Sequence, residues 1–151
     1  MIRRLLRLLD LPPLWLIAFG GMGWWLDGIV PLSFPWGLPD LGPVLLGAGA
    51  TLFGLGGVQM LMARTTVIPR RNPAALVTGG VFRLTRNPIY LGDAALLTGA
   101  ILWWDAPAAL PLVPAFVWLI TRRFIRDEEA RLRAAFGADF DRWAARVRRW
   151  L

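Results

Sequence analysis

Four runs of apolar residues divide the chain. Leu11 to Leu26 carries no charge and extends past Asp27, while Leu41 to Ala63 offers 23 consecutive positions without one. Ile89 to Trp104 carries a single charge, Asp93, and Ala106 to Thr121 carries none. Crossing a hydrocarbon core of ~30 Å takes ~20 helical residues, so the second run is long enough to span. The pattern predicts an all-α integral membrane protein of one domain, 1–151, with four membrane helices at about 11–30, 41–63, 88–104 and 106–121. The last two runs are short, roughly 24 Å each at ~1.5 Å per residue. They span fully or dip as a tight hairpin about Asp105.

After Thr121 the pattern changes. Ile125, Leu132, Phe136, Phe140, Trp143, Val147 and Trp150 recur at spacings of 7, 4, 4, 3, 4 and 3, which marks amphipathic helix over 122–150. Gly137 followed by Asp139 is expected to end one helix and cap the next. The apolar stripe has two possible seats: the bilayer surface, as an interfacial anchor rich in arginine and tryptophan, or the preceding loop, as a lid.

Composition agrees with a lipid solvent: 56% of the 151 residues are apolar and 18% charged, too greasy for an ordinary soluble fold. With neither cysteine nor histidine, the chain has no disulfide, no thiolate nucleophile and not the commonest metal ligand. No metal site is expected. The net charge of +7 raises the question of nucleic acid, but its distribution answers it. All 17 basic residues are arginine, and they fall before the first run, between the second and third (Arg64 to Arg86), and after the fourth (Arg122 to Arg149). With four crossings those segments share one side, which the positive-inside tendency makes the cytoplasm. The charge is then topology and contact with anionic lipid, with no nucleic-acid partner. The basic start leading to Trp24, Trp25 and Asp27 without a cleavage site reads as a signal anchor, and the expected location is a bacterial inner membrane with both termini cytoplasmic.

The glycines of the second run, at 42, 47, 49, 54, 56 and 57, suit close helix packing. Residues 64–87, broken by Pro69, Pro73 and Gly79-Gly80, form a long structured loop, and loops of this length are more often functional than idle. Asn87 is placed as a side-chain N-cap and Pro88 at the start of the third helix. Asp93, within an apolar run, needs a partner or a polar cavity: pairing with Arg86 or Arg83 and a substrate role are both open. Glu128 and Glu129, among arginines at helical spacing, read on their own as surface ion pairs worth ~0.2–0.5 kcal/mol each.

Leu76-Val-Thr-Gly-Gly-Val-Phe-Arg-Leu-Thr-Arg-Asn-Pro-Ile-Tyr90 resembles the Leu-Val-x-x-Gly-x-Tyr-x-x-x-Arg-His-Pro-x-Tyr pattern of isoprenylcysteine carboxyl methyltransferases and related phospholipid methyltransferases. Glu128-Glu129-Ala-Arg-Leu-Arg-Ala-Ala-Phe136-Gly137, followed by Phe140, is similar to that family's Glu-Glu-x-x-Leu-x-x-x-Phe-Gly-x-x-Tyr segment. The resemblance covers about residues 64–151. It implies S-adenosylmethionine as cofactor, held by Ala74, Ala75, Leu76 and Val77 through backbone and by Phe82, Asn87, Pro88, Ile89, Tyr90 and Glu128. Phe82 stands at the family's tyrosine and cannot hydrogen-bond; Asn87 stands at its histidine and cannot titrate. The family's substrate-side arginine has no clean counterpart, and Arg123 or Arg126 is the candidate catalytic residue.

The physics of the reaction is compatible with this inventory. Methyl transfer from a sulfonium needs an aligned nucleophile and exclusion of water more than an acid–base pair. The partners implied are the lipid bilayer and a lipophilic acceptor entering from it. Two further readings remain at this stage. Arg86-Asn-Pro-Ile-Tyr-Leu-Gly-Asp93 is similar to the Arg-His-Pro-x-Tyr-Leu-Gly-Asp run of sterol reductases, implying a membrane reductase, and the substitutions at Phe82 and Asn87 allow a non-catalytic protein that keeps the fold.

Overall fold

The computed structural model describes residues 11–68 and 71–151; the arginines at 3, 4, 7 and 70, and their expected cytoplasmic placement, lie outside them. The described residues are helical, with no strand among them. Helix α1 is Pro12–Ile29, α2 is Leu41–Met62 and α3 is Pro88–Trp103. Both α1 and α3 open on a proline, which is preorganised for the first helical position and lacks only an N–H that has no partner there. After a turn at Pro107–Ala109 comes α4, Leu112–Ile120, then a wide π turn at Thr121–Ile125, α5 at Arg126–Phe136 and α6 at Ala138–Ala144.

The fourth helix differs from expectation at both ends. It begins at Leu112 rather than 106, after Pro107 and Pro111, and it does not stop at Thr121. The helical run continues through the π turn into α5, so the helix carries on from apolar into charged sequence. Hydropathy marks where lipid ends, whereas Arg, Glu and Ala propagate a helix well. The break comes at Gly137, whose φ of 49° suits a residue without Cβ and whose N–H donates to the Arg133 carbonyl at 2.9 Å. Asp139 does not cap α6. It lies in the first turn and pairs with Arg142.

Helices α2 and α3 run antiparallel along a seam of glycines. Gly42 faces Gly99 and Trp103, Gly49 faces Gly92 and Leu96, and Gly56 faces Pro88 and Ile89. A Cβ added at Gly49 would stand 2.7 Å from the Gly92 carbonyl oxygen, and one at Gly42 2.7 Å from the Trp103 nitrogen. The backbones therefore touch, as small residues permit in membrane helices, and the seven-residue spacing of Gly42, Gly49 and Gly56 keeps the contact on one face. Helix α1 packs on α3, on the Pro107–Ala109 turn and on α4. Its Phe19 ring meets Phe116 edge to face at 5.4 Å, over a core that includes Ile101, Ile120, Phe124 and Ile125. At the far end Asp105, with φ 58°, accepts the Phe34 N–H at 2.7 Å and ties the connecting loop 30–40 to the α3–α4 turn.

Large apolar side chains face outward: Ile17, Trp24, Val44, Leu61, Met62 and Trp118 are all exposed, and Trp36 is 97% exposed. Two helices, Leu41–Met62 and the 30-residue run Pro107–Phe136, are long and apolar enough to cross a membrane by length and composition; Pro88–Trp103 is apolar but shorter. An apolar exterior of this extent is what lipid, not water, accommodates.

Candidate functional site

A cavity of about 480 Å³ lies where the 64–87 segment, the start of α3 and helices α5 and α6 converge. Its geometry begins with the end of α2. Gly80, at φ 54°, leaves room for Gln59, whose side-chain oxygen accepts the Val81 N–H at 3.2 Å. A Cβ on Gly80 would collide with that amide. The turn so fixed, Gly80–Arg83, buries Phe82 against Phe140 and Trp143, and the Trp143 indole donates to the Phe82 carbonyl at 3.2 Å. The C-terminal stripe thus packs on the loop: Leu132, Phe136 and Val147 join this cluster, while Ile125 and Trp150 join the main core. Of the stripe's residues, Leu132, Phe136, Phe140, Trp143 and Val147 meet the loop at Phe82.

A polar lock holds the other side. Glu129, only 9% exposed, accepts both guanidinium donors of Arg149, at 2.9 and 2.6 Å, and pairs with Arg86 at 3.2 Å. Burial lowers the Arg86 guanidinium from its ordinary value, Glu129 opposes that, and Arg149 and Arg133 add to it. The hydrogen bond from Arg149 to Glu129 raises Arg149. Backbone completes the lock: the Arg86 N–H donates to the Arg148 carbonyl at 2.9 Å, and the Arg149 carbonyl accepts from the Thr85 hydroxyl at 3.2 Å and the Asn87 amide at 2.9 Å. Asn87 stands at the N-cap position of α3, yet its side chain makes no capping bond. The tail carbonyl takes that amide instead, and Pro88 leaves the helix one N–H fewer to cap.

Neighbouring residues turn the opposite way. The Tyr90 hydroxyl donates to Glu128 at 2.7 Å, and both line the cavity. Asp93, one turn further along α3, also lines it and is 1% exposed, and neither of its carboxylate oxygens has a hydrogen-bond partner. It does not pair with Arg86, whose partner is Glu129, nor with Arg83. Two buried donors are likewise unmet, Arg86 Nε and Arg131 Nη1.

Of the cofactor residues named from the sequence, Phe82, Asn87, Pro88, Ile89, Tyr90 and Glu128 line this cavity. Ala74, Ala75, Leu76 and Val77 stand off it: the N–H groups of Ala74 and Ala75 donate to the Thr65 hydroxyl at 3.0 and 3.4 Å, and Leu76 and Val77 pack on the Phe82 cluster. Neither Arg123 nor Arg126 lines it. Arg123 lies over the Trp15 ring at 5.5 Å, and Arg126 is exposed at the start of α5. The arginines at the cavity are Arg71, Arg86 and Arg131. Arg131 was legible by spacing, three residues after Glu128 and so on its face of the helix.

The cavity's lining from Phe53 to Leu132 lies within residues 44–139, which match the family model for phospholipid methyltransferases; the start of α1 and Phe140 and Trp143 lie outside that span. That span is well over half of the chain, and it favours the methyltransferase resemblance over the reductase one. No curated protein matches the chain.

Proposed function

The chain belongs to the phospholipid methyltransferase family, and on that premise we propose that it moves a methyl group from S-adenosylmethionine to a lipophilic acceptor at the membrane–cytoplasm interface. Membership makes it a methyltransferase, and its two spanning-length helices go with membrane association. The proposal adds the donor, the acceptor class and the setting: four membrane-inserted helices, with both termini and the 64–87 loop on the cytoplasmic side.

One observation carries the reading. Both sequence segments that resemble methyltransferases, 76–90 and 128–140, contribute walls to a single cavity. Its unmet groups fit the cofactor. Arg131 Nη1 and Arg86 Nε are buried donors without an acceptor, suited to a carboxylate. Glu128, with Tyr90 on it, suits an ammonium or ribose hydroxyls. Phe82 and Trp143, backed by the fully buried Phe140, offer ring edges for a purine. When bound, S-adenosylmethionine supplies a methyl group made electrophilic by a sulfonium. The chain's own contribution is to orient the two partners and limit water, for which the Phe82–Phe140–Trp143 cluster and the tail lock hold the loop in place.

Calorimetry on detergent-solubilised protein tests the donor. Micromolar binding of S-adenosylmethionine or S-adenosylhomocysteine is expected, and absence of both heat and thermal stabilisation at millimolar ligand would overturn the proposal.

A further inference from the structure

A buried carboxylate that no protein donor meets pays its desolvation without an internal hydrogen bond to offset it. Asp93 is that group. Every other acidic side chain at the cavity is engaged: Glu129 by Arg86 and Arg149, and Glu128 by Tyr90. The positions also differ in depth. Asp93 is three residues beyond Tyr90 on the same face of α3, about 4.5 Å further along the helix and away from the loop that carries Arg71 and Arg86. Arg71 and Arg86 therefore stand toward the loop, and the unmatched carboxyl group of Asp93 stands deeper. Apolar surface lines the same cavity from Phe53, Gly57 and Leu61 of α2 and from Leu11, Pro12 and Pro13 at the start of α1.

Building on the methyl-transfer reading, we propose that Asp93 is the specificity-determining residue for the acceptor: it receives the N–H groups of an amine whose hydrocarbon tail lies along the apolar lining. An amine satisfies the carboxylate as a charge-assisted hydrogen bond. A carboxylate or thiolate acceptor would bring a second negative charge to a carboxylate that no donor meets, and like charges brought together in a desolvated site are rejected. The same group that costs the fold stability selects the ligand.

Binding to the detergent-solubilised full chain, read by calorimetry and by quenching of tryptophan emission, tests this without turnover. The ligands are dodecylamine, dodecanoate, dodecanethiol and a short-chain diacyl phospholipid with a primary amine headgroup. The parent is expected to bind an amine at least tenfold more tightly than dodecanoate or dodecanethiol, and whichever amine binds better tells a single-chain acceptor from a lipid headgroup. Asp93→Asn, nearly isosteric and relieved of an unpaired charge, is expected to keep or raise the thermal midpoint and lose tenfold or more in amine affinity. Equal affinity of the parent for dodecylamine and dodecanoate overturns the proposal, and this comparison needs no variant to fold. Unchanged amine affinity in Asp93→Asn overturns it as well. S-adenosylhomocysteine, titrated in parallel, separates the two levels. Asp93-dependent amine binding without it supports the Asp93 site and removes methyl transfer; its binding without any amine binding overturns the Asp93 site alone.

Discussion

Replacing Glu129 by glutamine should unlock the C-terminal tail, whereas the same change at Glu128 should leave it closed. Glu129 meets Arg149 at 2.6 and 2.9 Å and Arg86 at 3.2 Å. Glutamine keeps one acceptor oxygen, loses the charge and turns an NH₂ toward guanidinium donors. Breaking a fully buried pair costs ~3–5 kcal/mol. Because the Arg149 side chain is 37% exposed, water recovers part of that, and about 2–3 kcal/mol remains. For a chain of this size the midpoint falls by about 4–12 °C. In Glu128→Gln the Tyr90 hydroxyl still finds a carbonyl oxygen, so the loss is a charge-assisted bond traded for a neutral one, ~1 kcal/mol or less. Thermal unfolding of both variants in one detergent gives the stability order, and S-adenosylhomocysteine titration gives the affinity order. The affinity order is expected to be reversed, with Glu128→Gln losing tenfold or more. A Glu128→Gln protein that melts as low as Glu129→Gln, or a Glu129→Gln protein alone in losing the ligand, refutes the division of labour.

Three further outcomes follow from the geometry. Gly49→Val places branched carbon where a Cβ already falls 2.7 Å from the Gly92 carbonyl, so α2 and α3 must separate and the midpoint should drop by several degrees; Gly47→Val, which meets nothing within 4 Å, is the control, and equal effects would refute the seam. Asn87 cannot titrate, so cofactor affinity should lack an imidazole-like step across pH ~5–8 that Asn87→His introduces; a flat profile in the histidine variant means residue 87 does not sense the cofactor. Cysteines placed beside Asp40 should label from the side opposite to one at Leu151, and labelling of both from the same side overturns the four-crossing topology.

How far the sequence revealed this depends on whether a feature is local. The starts of α1, α2 and α3 follow from Pro12, the edge of the uncharged run at Leu41, and Pro88, all local signals. The length of the fourth helix does not, because the run from Leu112 crosses from apolar to arginine-rich residues without changing backbone conformation, so hydropathy draws a boundary that the hydrogen bonds ignore. Glycines at 42, 49 and 56 announce a close contact, but their counterparts Gly92 and Gly99 are identified only once α2 and α3 are laid antiparallel. The lock between Glu129 and Arg149 joins residues 20 apart through a chain reversal at Gly137. No spacing rule reaches it.

The same separation explains how the two motifs do double duty. Consecutive residues on a helix point about 100° apart, so Glu129 can hold the tail while Glu128 reaches Tyr90, both at the cavity wall. On the other motif, Thr85, Arg86 and Asn87 bind the tail through their backbone and side chains, and Tyr90 and Asp93, one and two turns later, look inward. A residue's match to the motif therefore does not by itself give its role: Arg86, Asn87 and Glu129 hold the tail and line the cavity at once. Asn87 is the test of this point, since it lines the cavity and yet spends its amide on the Arg149 carbonyl. Where the family pattern has histidine, this chain has a residue whose donor is committed to holding the tail. An effect of Asn87→Leu on cofactor affinity should then appear together with a loss of stability of ~1 kcal/mol, because both pass through the same clasp.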